Sequence, residues 1–528
     1  MCCDEYCVTQ TFYLFIIMIK SGKWQNSPHV AVVGAGIKGL FAARQLCKIG
    51  YKVTVFERGK RAGGKINTVR SNETNSETVG DFDNDPKAYV EMGAMRILDS
   101  HKSTLRLLEE LDLVTIPYIE DNDEAPFVIK QQRNKVENLN VGVLIDAGLV
   151  QKDVLKSDTR LSRETKFIDV LNNAFENVHD TILQSTPDRK VHGSGQMSVS
   201  EYLSLPGKNV CVKECAAAIL ALRNGQEGIQ NVEAVDEFVN ILKLHSETPL
   251  AVKGGFDQMI TRIIEQLTNC LILYESEVIA IEDLVSNGIR ILFKIASNEF
   301  DEVHSDSVLI ACPAIHKIRF YPELPTKHLE IVENLKSLVI PAMKCALLFK
   351  QPFWQEKEHG NIIGGTCWIS PSEVNQIYLP SSVSSKAKGY LMIYIRGEPV
   401  KRWLKIPQKL RIAKLLNDVE NLFPSAKDNV RNLYEDFTEV IWDEEGAGAY
   451  VLMNAESIRD SLTPVGRVIF SPVPRGWIND TLNDAQMAVS LLQDALNCPD
   501  LHAPIPSGDQ IQNILEAYRK WKSISVGA

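Results

Sequence analysis

The sequence HVAVVGAGIKGLFAARQLCKIGYKVTVFE, residues 29–57, contains a short apolar strand, a glycine-rich turn, a helix and a second strand that ends on an acid. The turn has the spacing Gly-x-Gly-x-x-Gly. Gly34 allows the tight bend, Gly36 lets the backbone approach a pyrophosphate, and Gly39 lets the helix pack on the strand. The helix N-terminus offers N–H donors to phosphates, and Glu57 can accept a hydrogen bond from a ribose hydroxyl. In this context the turn predicts a dinucleotide-binding site rather than a chance group of glycines.

Composition indicates an ordinary globular protein of several domains. The chain has 528 residues, a length that suggests about three domains. Hydrophobic residues make up 45% and charged residues 23%, as in proteins that bury a large core. The formal net charge is −10 and there is no basic run, so nucleic acid is disfavoured as a partner. The eleven cysteines are scattered without a CxxC pair, which disfavours metal clusters and a disulfide scaffold and favours thiols in a reducing compartment.

Residues 1–27 are interpreted as a disordered N-terminal extension. The apolar run at 12–19 is far shorter than the roughly 20 residues of a membrane span. Asp4 and Glu5 precede it, where a signal peptide would carry a basic region. We therefore expect no membrane span and a cytoplasmic location, with secretion as the less favoured alternative.

The residues after Glu57 indicate which dinucleotide is bound. Arg61, Gly63, Gly64 and Lys65 lie in the sequence RGKRAGGKINT, residues 58–68. This sequence resembles the flavin-dependent amine oxidase superfamily, in which an Arg-x-Gly-Gly-Arg turn wraps the FAD pyrophosphate. Lys65 stands where the family usually has Arg, so it keeps the charge but lacks the planar bidentate fork. The resemblance implies FAD.

A second motif, EMGAMRI at residues 91–97, resembles a segment of L-amino acid oxidases and of tryptophan 2-monooxygenase. The resemblance implies that Gly93, Ala94 and Met95 meet the flavin and that Arg96 lies at both flavin and substrate. A guanidinium is suited to an α-carboxylate because it is planar, always charged and bidentate. The alternative is a structural Arg96 paired with a local acid such as Asp99.

Three further residues match the family near the substrate. Lys344 resembles the lysine that holds a water near flavin N5, and a lysine on an apolar strand is costly to bury unless it is paired or functional. Tyr394 resembles a tyrosine that donates to the substrate carboxylate, although a core tyrosine is an equal alternative. Trp442 resembles a tryptophan that walls the site, and a core aromatic is again the alternative.

The remaining cofactor contacts come from the second half of the chain. The resemblance implies that the backbone of Val278 meets the adenine side of FAD. It also implies that Gly476, Trp477 and Ile478 meet the flavin, with the Gly476 carbonyl facing the substrate amine. The acid that most relatives carry near Pro472 is absent. No cysteine lies between residues 471 and 483, where some relatives tether the flavin, so the FAD is expected to be non-covalent.

The predicted fold class is α/β, with an FAD-binding Rossmann-like domain, a mixed-sheet substrate domain and a helical insertion. The predicted segments, in chain order, are the extension (1–27), the FAD-binding domain in part (28–100), a helical and substrate-funnel region (101–250), the FAD-binding domain continued (251–314), the substrate-binding domain (315–460), the last strand and helix of the FAD-binding domain (461–498) and a C-terminal tail or helix (499–528).

The resemblance implies oxidation of an L-amino acid by hydride transfer from Cα to flavin N5, with O2 as electron acceptor and a 2-oxo acid, ammonia and hydrogen peroxide as products. Such a transfer needs positioning more than a strong base, and no metal is expected. Two alternatives stay open. One is an amide-forming monooxygenase of the tryptophan type. The other is a weakly active FAD-binding protein that acts through partners, suggested by Lys65 and by the missing acid. A homodimer is also compatible with the sequence.

Overall fold

The computed structural model describes residues 27–70, 89–157, 160–176, 199–207, 209–224, 247–284, 287–374, 376–380, 388–442, 450–451, 464–472 and 477–497. The strands within them are β1 His29–Val33, β2 Lys52–Phe56, β3 Thr68–Arg70, β4 Tyr89–Glu91, β5 Ile97–Leu98, β6 Thr115–Pro117, β7 Pro126–Ile129, β8 Gln132–Lys135, β9 Pro249–Val252, β10 Cys270–Leu273, β11 Glu277–Asp283, β12 Ile289–Lys294, β13 Phe300–Ser305, β14 Ser307–Ile310, β15 Arg319–Tyr321, β16 Val339–Ile340, β17 Ala342–Phe349, β18 Gly365–Ser370, β19 Gln376–Leu379, β20 Gly389–Arg396, β21 Tyr434–Trp442, β22 Tyr450–Val451 and β23 Val468–Phe470.

The α-helices of the same residues are α1 Ile37–Lys48, α2 Lys102–Glu110, α3 Val141–Asp146, α4 Phe167–Phe175, α5 Val199–Leu203, α6 Val210–Asn224, α7 Asp257–Glu265, α8 Thr326–Leu338, α9 Glu398–Leu404, α10 Gln408–Leu422, α11 Lys427–Leu433 and α12 Ile478–Asn497. Among these described helices, none has the length and apolarity that a bilayer crossing requires.

A five-stranded parallel sheet holds the glycine-rich turn. Its strand order is β10-β2-β1-β14-β23, and all four neighbouring pairs are parallel. These strands come from three separate stretches of the chain. The apolar runs of β1, β2, β14 and β23 are buried on both faces, as is typical of parallel strands, whereas the edge strand β10 is only partly buried. One face packs against α1 and α12, and the other packs against the sheet β13-β12-β11-β15 through Phe56 and Phe293, whose ring centroids lie 5.1 Å apart.

Helix α1 follows β1 directly because the turn is very tight. Gly34 has φ +107°, and its N–H donates to Phe56 O at 2.8 Å. Gly39 lies against this bend, since a Cβ at residue 39 would be 1.9 Å from Gly34 O. Leu40, Ala43 and Leu46 then bury the inner face of the helix against the sheet.

A seven-stranded sheet forms the second part of the structure. Its order is β21-β17-β20-β19-β18-β7-β8. Every residue of its strand β17 is buried. Helices α10 and α11 cover one face of this sheet and bury an apolar cluster that includes Trp354 and Trp403.

Within residues 101–250, predicted as a helical and substrate-funnel region, the described residues form strands as well as helices. Helices α3 to α6 pack together around Tyr202 and Phe175, whose rings are stacked at 5.2 Å. Residues 126–135 instead form the hairpin of β7 and β8 and extend the seven-stranded sheet. The run Pro126–Ile129 is too short for a stable helix and begins with proline, which is tolerated at the first residue of a strand.

We predict that Gly39→Ala destabilises the protein because the new Cβ would collide with a backbone oxygen in the turn. The expected loss of unfolding free energy is about 1–3 kcal/mol, measured by chemical denaturation of the cofactor-free protein. Gly36→Ala is the matched control, since Gly36 has φ −69° and its Cβ would meet nothing within 4 Å. Equal losses for the two variants would contradict this account of the turn.

Candidate active site

A cavity of about 520 Å³ opens at the carboxyl ends of β1 and β2 and reaches the seven-stranded sheet. Ligands of open α/β sheets bind at this end of the strands. The structure places most of the predicted site residues in its lining. They are Gly34, Gly36, Glu57, Arg61, Gly63, Gly64, Lys65, Gly93, Ala94, Val278, Lys344, Tyr394, Trp442, Trp477 and Ile478.

Backbone forms the floor of the cavity beside the glycine-rich turn. Gly36 pairs with Gly63 in an isolated bridge, and the Gly63 N–H donates to Ala35 O at 2.8 Å. Arg61 fixes the second turn by donating to the carbonyls of Gly64 and Ile66 at 2.8 and 3.1 Å. The open space beside Gly36 is therefore bordered by two rigid turns.

Glu57 is held at the end of β2 by backbone donors. Its Oε2 accepts from Ala35 N at 3.0 Å and its Oε1 accepts from Gly59 N at 2.8 Å. The carboxylate thus lies at the mouth of the turn, where the sequence predicted it. These two bonds fix its position but leave lone pairs for a further donor.

Lys65 is a buried cation that has no hydrogen-bond partner among the described residues. Its Nζ is inaccessible and donates to no described carboxylate or carbonyl, although the residue as a whole is partly exposed. Burial, with a smaller contribution from the charge of Lys38, lowers the pKa of Lys65 to about 7. An orphaned ammonium beside a backbone cradle fits an anionic ligand.

Lys38 is a lining residue that sequence reasoning missed. It lies in the first turn of α1, its Nζ donates to Ser471 O at 3.1 Å, and Asp484 Oδ2 of α12 is 3.6 Å away. Both side chains are 7% exposed. Asp484 of α12 is thus the acid that lies beside Lys38, whereas the acid that most relatives carry near Pro472 is absent from this chain. A lysine at a helix N-terminus is unfavourable because of the helix dipole. This unusual position could have identified Lys38 from the sequence as a candidate site residue.

The opposite end of the cavity is formed by one face of the seven-stranded sheet. Lys344 of β17 lies directly opposite Tyr394 of β20, and Trp442 of β21 lies opposite Ala342. Because side chains two residues apart in a strand share a face, all three project from the same side of the sheet. The sheet therefore gathers residues that are far apart in sequence.

Lys344 is held by backbone carbonyls of the segment that carries Arg96. Its Nζ donates to Gly93 O at 2.5 Å and to Glu91 O at 3.3 Å, and it lies 5.4 Å from the ring centroid of Tyr394. Burial, and then the charge of Arg96, lowers the pKa of Lys344 to about 7. Burial raises the pKa of Glu91 to about 7, although Glu91 accepts from Phe256 N and Thr68 Oγ1 at 2.8 Å.

Arg96 lies next to this end of the cavity but is not among its lining residues. Its Nη1 is 3.0 Å from Glu120 Oε2, and the two side chains are 14% and 5% exposed. The guanidinium carbon lies 5.9 Å and 6.0 Å from the ring centroids of Tyr118 and Tyr378. The pairing acid is therefore Glu120 and not Asp99, which the sequence had suggested as the alternative partner.

Two other predicted residues, Gly39 and Met95, do not line the cavity. Gly39 packs against Gly34 instead. The side chain of Met95 is buried in the apolar cluster that contains Met92 and Tyr390. Gly476 lies outside the described residues.

One cluster with the geometry of metal ligands occurs among the described residues, formed by Glu356, Glu358 and His359 within 4.8 Å of one another. None of the three lines the cavity. His359 also contacts Ser425 Oγ at 2.8 Å, and exposed carboxylates commonly group together without an ion. This cluster adds nothing to the site.

The model of the flavin containing amine oxidoreductase family matches residues 38–475. The chain belongs to this family. The resemblance found in the sequence is therefore confirmed, and the family implies a flavin as cofactor.

Individual relatives are distant but cover nearly the whole chain. It is 24% identical to an L-amino-acid oxidase of Vipera ammodytes ammodytes, over 92% of this chain and 97% of the relative. It is 23% identical to an L-amino-acid oxidase of Bungarus fasciatus, over 94% of this chain and 93% of the relative.

Solved structures of the family share the fold. Wild-type putrescine oxidase bound to putrescine is similar with a TM-score of 0.60 at 18% identity, over 89% of this chain and 99% of that chain. Cyclohexylamine oxidase from Brevibacterium oxydans IH-35A is similar with a TM-score of 0.62 at 19% identity, over 89% and 100%. These similarities confirm the predicted α/β fold class.

The cavity of this amine oxidoreductase fits a flavin nucleotide. The space beside Gly36 would be filled by any side chain there, and the buried Nζ of Lys65 can neutralise a phosphate. Trp477 directly precedes α12 and Ile478 begins it, and both line the cavity. The Trp477 ring packs edge-on against His101, with ring centroids 4.9 Å apart.

Proposed function

We propose that this protein is an FAD-dependent oxidase of L-amino acids. The observation that carries the proposal is the buried guanidinium of Arg96 beside the cavity end that holds Lys344 and Tyr394. A guanidinium in a desolvated site binds a carboxylate strongly and with fixed orientation. The relatives named L-amino-acid oxidases support the choice. The products would be a 2-oxo acid, ammonia and hydrogen peroxide, with O2 as the electron acceptor.

The cofactor proposed is non-covalent FAD. The turns at Gly36 and Gly63 and the ammonium of Lys65 would hold its pyrophosphate. Glu57 would accept from its ribose, and the backbone at Val278 would face its adenine. Bound flavin would accept the hydride of the substrate Cα–H, which carries both electrons of the oxidation. The protein contributes position and charge.

We expect the affinity for FAD to depend on pH through Lys65. The ammonium form binds the pyrophosphate, so the pKa of Lys65 rises from about 7 when FAD binds. Affinity should be constant below about pH 7 and should weaken above it, by up to about tenfold per pH unit. Dissociation constants measured by flavin fluorescence from pH 6 to 9 test this.

Two variants and one control separate Lys65 from other titrating groups. Lys65→Met should bind FAD more weakly at pH 6 and lose this pH dependence, whereas Lys65→Arg should bind tightly without it. Lys60→Met, at an exposed position of the same loop, should behave as wild type. An unaltered pH profile in Lys65→Met would disprove the assignment.

Lys344 is proposed to hold a proton and a water at the reacting end of the cavity. Two N–H groups of its ammonium point to the carbonyls of Gly93 and Glu91, and the third can donate to a water in the cavity. A pKa near 7 lets the amine gain or lose a proton at neutral pH. Tyr394 and Trp442 then wall the space in which the substrate would lie.

We predict that Lys344→Met slows flavin reduction or reoxidation by O2, by roughly 100-fold or more if proton positioning is lost, while FAD stays bound. Anaerobic and aerobic stopped-flow absorbance measure the two half-reactions separately. Lys350→Met is the control, because Lys350 ends the same strand at an exposed position and donates to Asn432 O. Wild-type rates in both half-reactions would make Lys344 structural.

Oxidation of plain amines is the second candidate, and the Arg96–Glu120 pair favours it. Glu120 already neutralises the guanidinium that an amino acid would need. A cationic or neutral amine without a carboxylate makes no demand on Arg96. The cytoplasmic location, the possible homodimer and the role of residues 1–27 stay predictions.

We predict that Arg96→Ala lowers kcat/KM for the preferred amino acid by roughly 30-fold to several thousand-fold, as expected for truncation of a buried charge-assisted contact. Activity on the matching amine should fall much less, and Arg96→Lys should rescue poorly. Anaerobic bleaching with the twenty amino acids identifies the substrate, and mass spectrometry of the product separates a 2-oxo acid from an amide.

Because Arg96→Ala strands a buried carboxylate, the double variant Arg96→Ala/Glu120→Gln serves as control for folding. A wild type that is reduced by amines and not by amino acids would exclude the amino-acid proposal. A yellow protein that neither class of substrate bleaches would exclude an oxidase of either kind.

A further inference from the structure

The ion pair between Arg96 and Glu120 is close but poorly aligned. The two charged atoms are 3.0 Å apart, yet Arg96 Nη1, Arg96 Nε and Glu120 Oε2 are all buried without a well-formed hydrogen bond. Burial opposes the charge of Arg96, but Glu120 outweighs it and the pKa of Arg96 is raised. The guanidinium is therefore charged and still has N–H donors to offer.

A buried ion pair repays its desolvation only when its geometry is good and its other donors and acceptors are satisfied. This pair meets neither condition. A ligand carboxylate that accepts two parallel N–H bonds would be a better partner for Arg96 than Glu120 is. Glu120 can therefore be displaced, but any carboxylate ligand must compete with it.

The position of Glu120 is built into the fold. Its carbonyl accepts from Thr366 Oγ1 at 3.0 Å, and the preceding carbonyl of Ile119 accepts from Gly365 N at 3.1 Å. Tyr118 N donates to Pro249 O at 2.9 Å. These bonds connect residues 118–120 to β18 on one side and to β9 on the other. The backbone of this segment therefore places the Glu120 carboxylate beside Arg96.

Aromatic rings and burial limit the contact of Arg96 and Glu120 with water. Tyr118 and Tyr378 flank the guanidinium. Tyr378 shares a sheet face with Tyr394, because its register partner Met392 lies two residues from Tyr394. Arg96 thus lies beside β19, the neighbour of the cavity-lining strand β20. In a site with little water, replacing one carboxylate by another is the available exchange.

We propose that Glu120 is a specificity-determining residue that competes with the substrate carboxylate for Arg96. This inference rests on the proposed function. With Glu120 in place, the protein would discriminate less between an amino acid and the amine that lacks its carboxylate than it would without that negative charge. Without the negative charge, Arg96 is available to the carboxylate and discrimination increases.

The test uses Glu120→Gln in the FAD-loaded protein. Isothermal titration calorimetry with 3-phenylpropanoate should show at least tenfold tighter binding than in wild type, whereas the neutral 3-phenylpropanamide should change much less. The ratio of kcat/KM for L-phenylalanine to that for 2-phenylethylamine should rise at least tenfold, chiefly through KM. If Glu120 were only structural, Glu120→Gln would change kcat or stability, or would change the binding of 3-phenylpropanoate and 3-phenylpropanamide equally.

Glu124→Gln is the matched control, because Glu124 is exposed and paired with Lys135 at 2.7 Å, and its ratio should equal that of wild type. If Glu120→Gln does not fold, Glu120→Asp is tested instead. Its shorter side chain moves the carboxylate away from Arg96, so 3-phenylpropanoate should bind more tightly than in wild type. Unchanged or weaker 3-phenylpropanoate binding in the folded variant would overturn the proposal.

The calorimetric arm separates this inference from the proposed function. If neither L-phenylalanine nor 2-phenylethylamine reduces the flavin of any variant, the oxidase proposal fails for these substrates. Carboxylate binding still reports whether Glu120 competes for Arg96. If amino acids reduce the flavin but 3-phenylpropanoate binds equally to wild type and Glu120→Gln, the proposed oxidase is supported and the competition by Glu120 is contradicted.

Discussion

The site depends on one backbone contact, between the turn at residues 65–67 and the segment at residues 92–94. Ala94 N donates to Lys65 O at 3.0 Å, and the N–H groups of Met92 and Gly93 both donate to Asn67 O. A Cβ on Gly93 would lie 2.0 Å from Lys65 O, so only glycine permits the approach. Since Lys344 donates to Gly93 O, this contact links the glycine-rich turns of the cavity to the seven-stranded sheet.

The buried cations in and beside the cavity determine which charged ligands it can bind. Lys38 is balanced by Asp484, and Arg96 is balanced by Glu120. Among the described residues, Lys65 Nζ has no hydrogen-bond partner, and Lys344 donates to carbonyl oxygens. An uncompensated buried cation is unfavourable until an anion binds. The end of the cavity near Lys65 therefore fits an anionic cofactor. In the proposed function, the extent to which Glu120 neutralises Arg96 would set how strongly a substrate carboxylate is bound.

Much of the cofactor site could be predicted because its determinants are local. Gly34, Gly36, Gly39 and Glu57 belong to one βαβ unit, in which spacing fixes geometry. The structure shows Gly34 in the left-handed region and Gly39 against its carbonyl, as the spacing required. Lys38 was missed because the pattern leaves that position open. Its relation to Asp484 exists only after α12 docks on α1.

The sequence by itself determined the dinucleotide unit, the flavin family and most of the residues around the cavity, because short motifs carry these features and local backbone geometry realises them. Only the tertiary structure decided the partner of Arg96. Glu120 lies in no motif, and its carboxylate meets Arg96 because β9 and β18 fix the intervening backbone. Whether a guanidinium is available or neutralised depends on long-range packing, and in the proposed function that difference would separate an amino-acid site from an amine site.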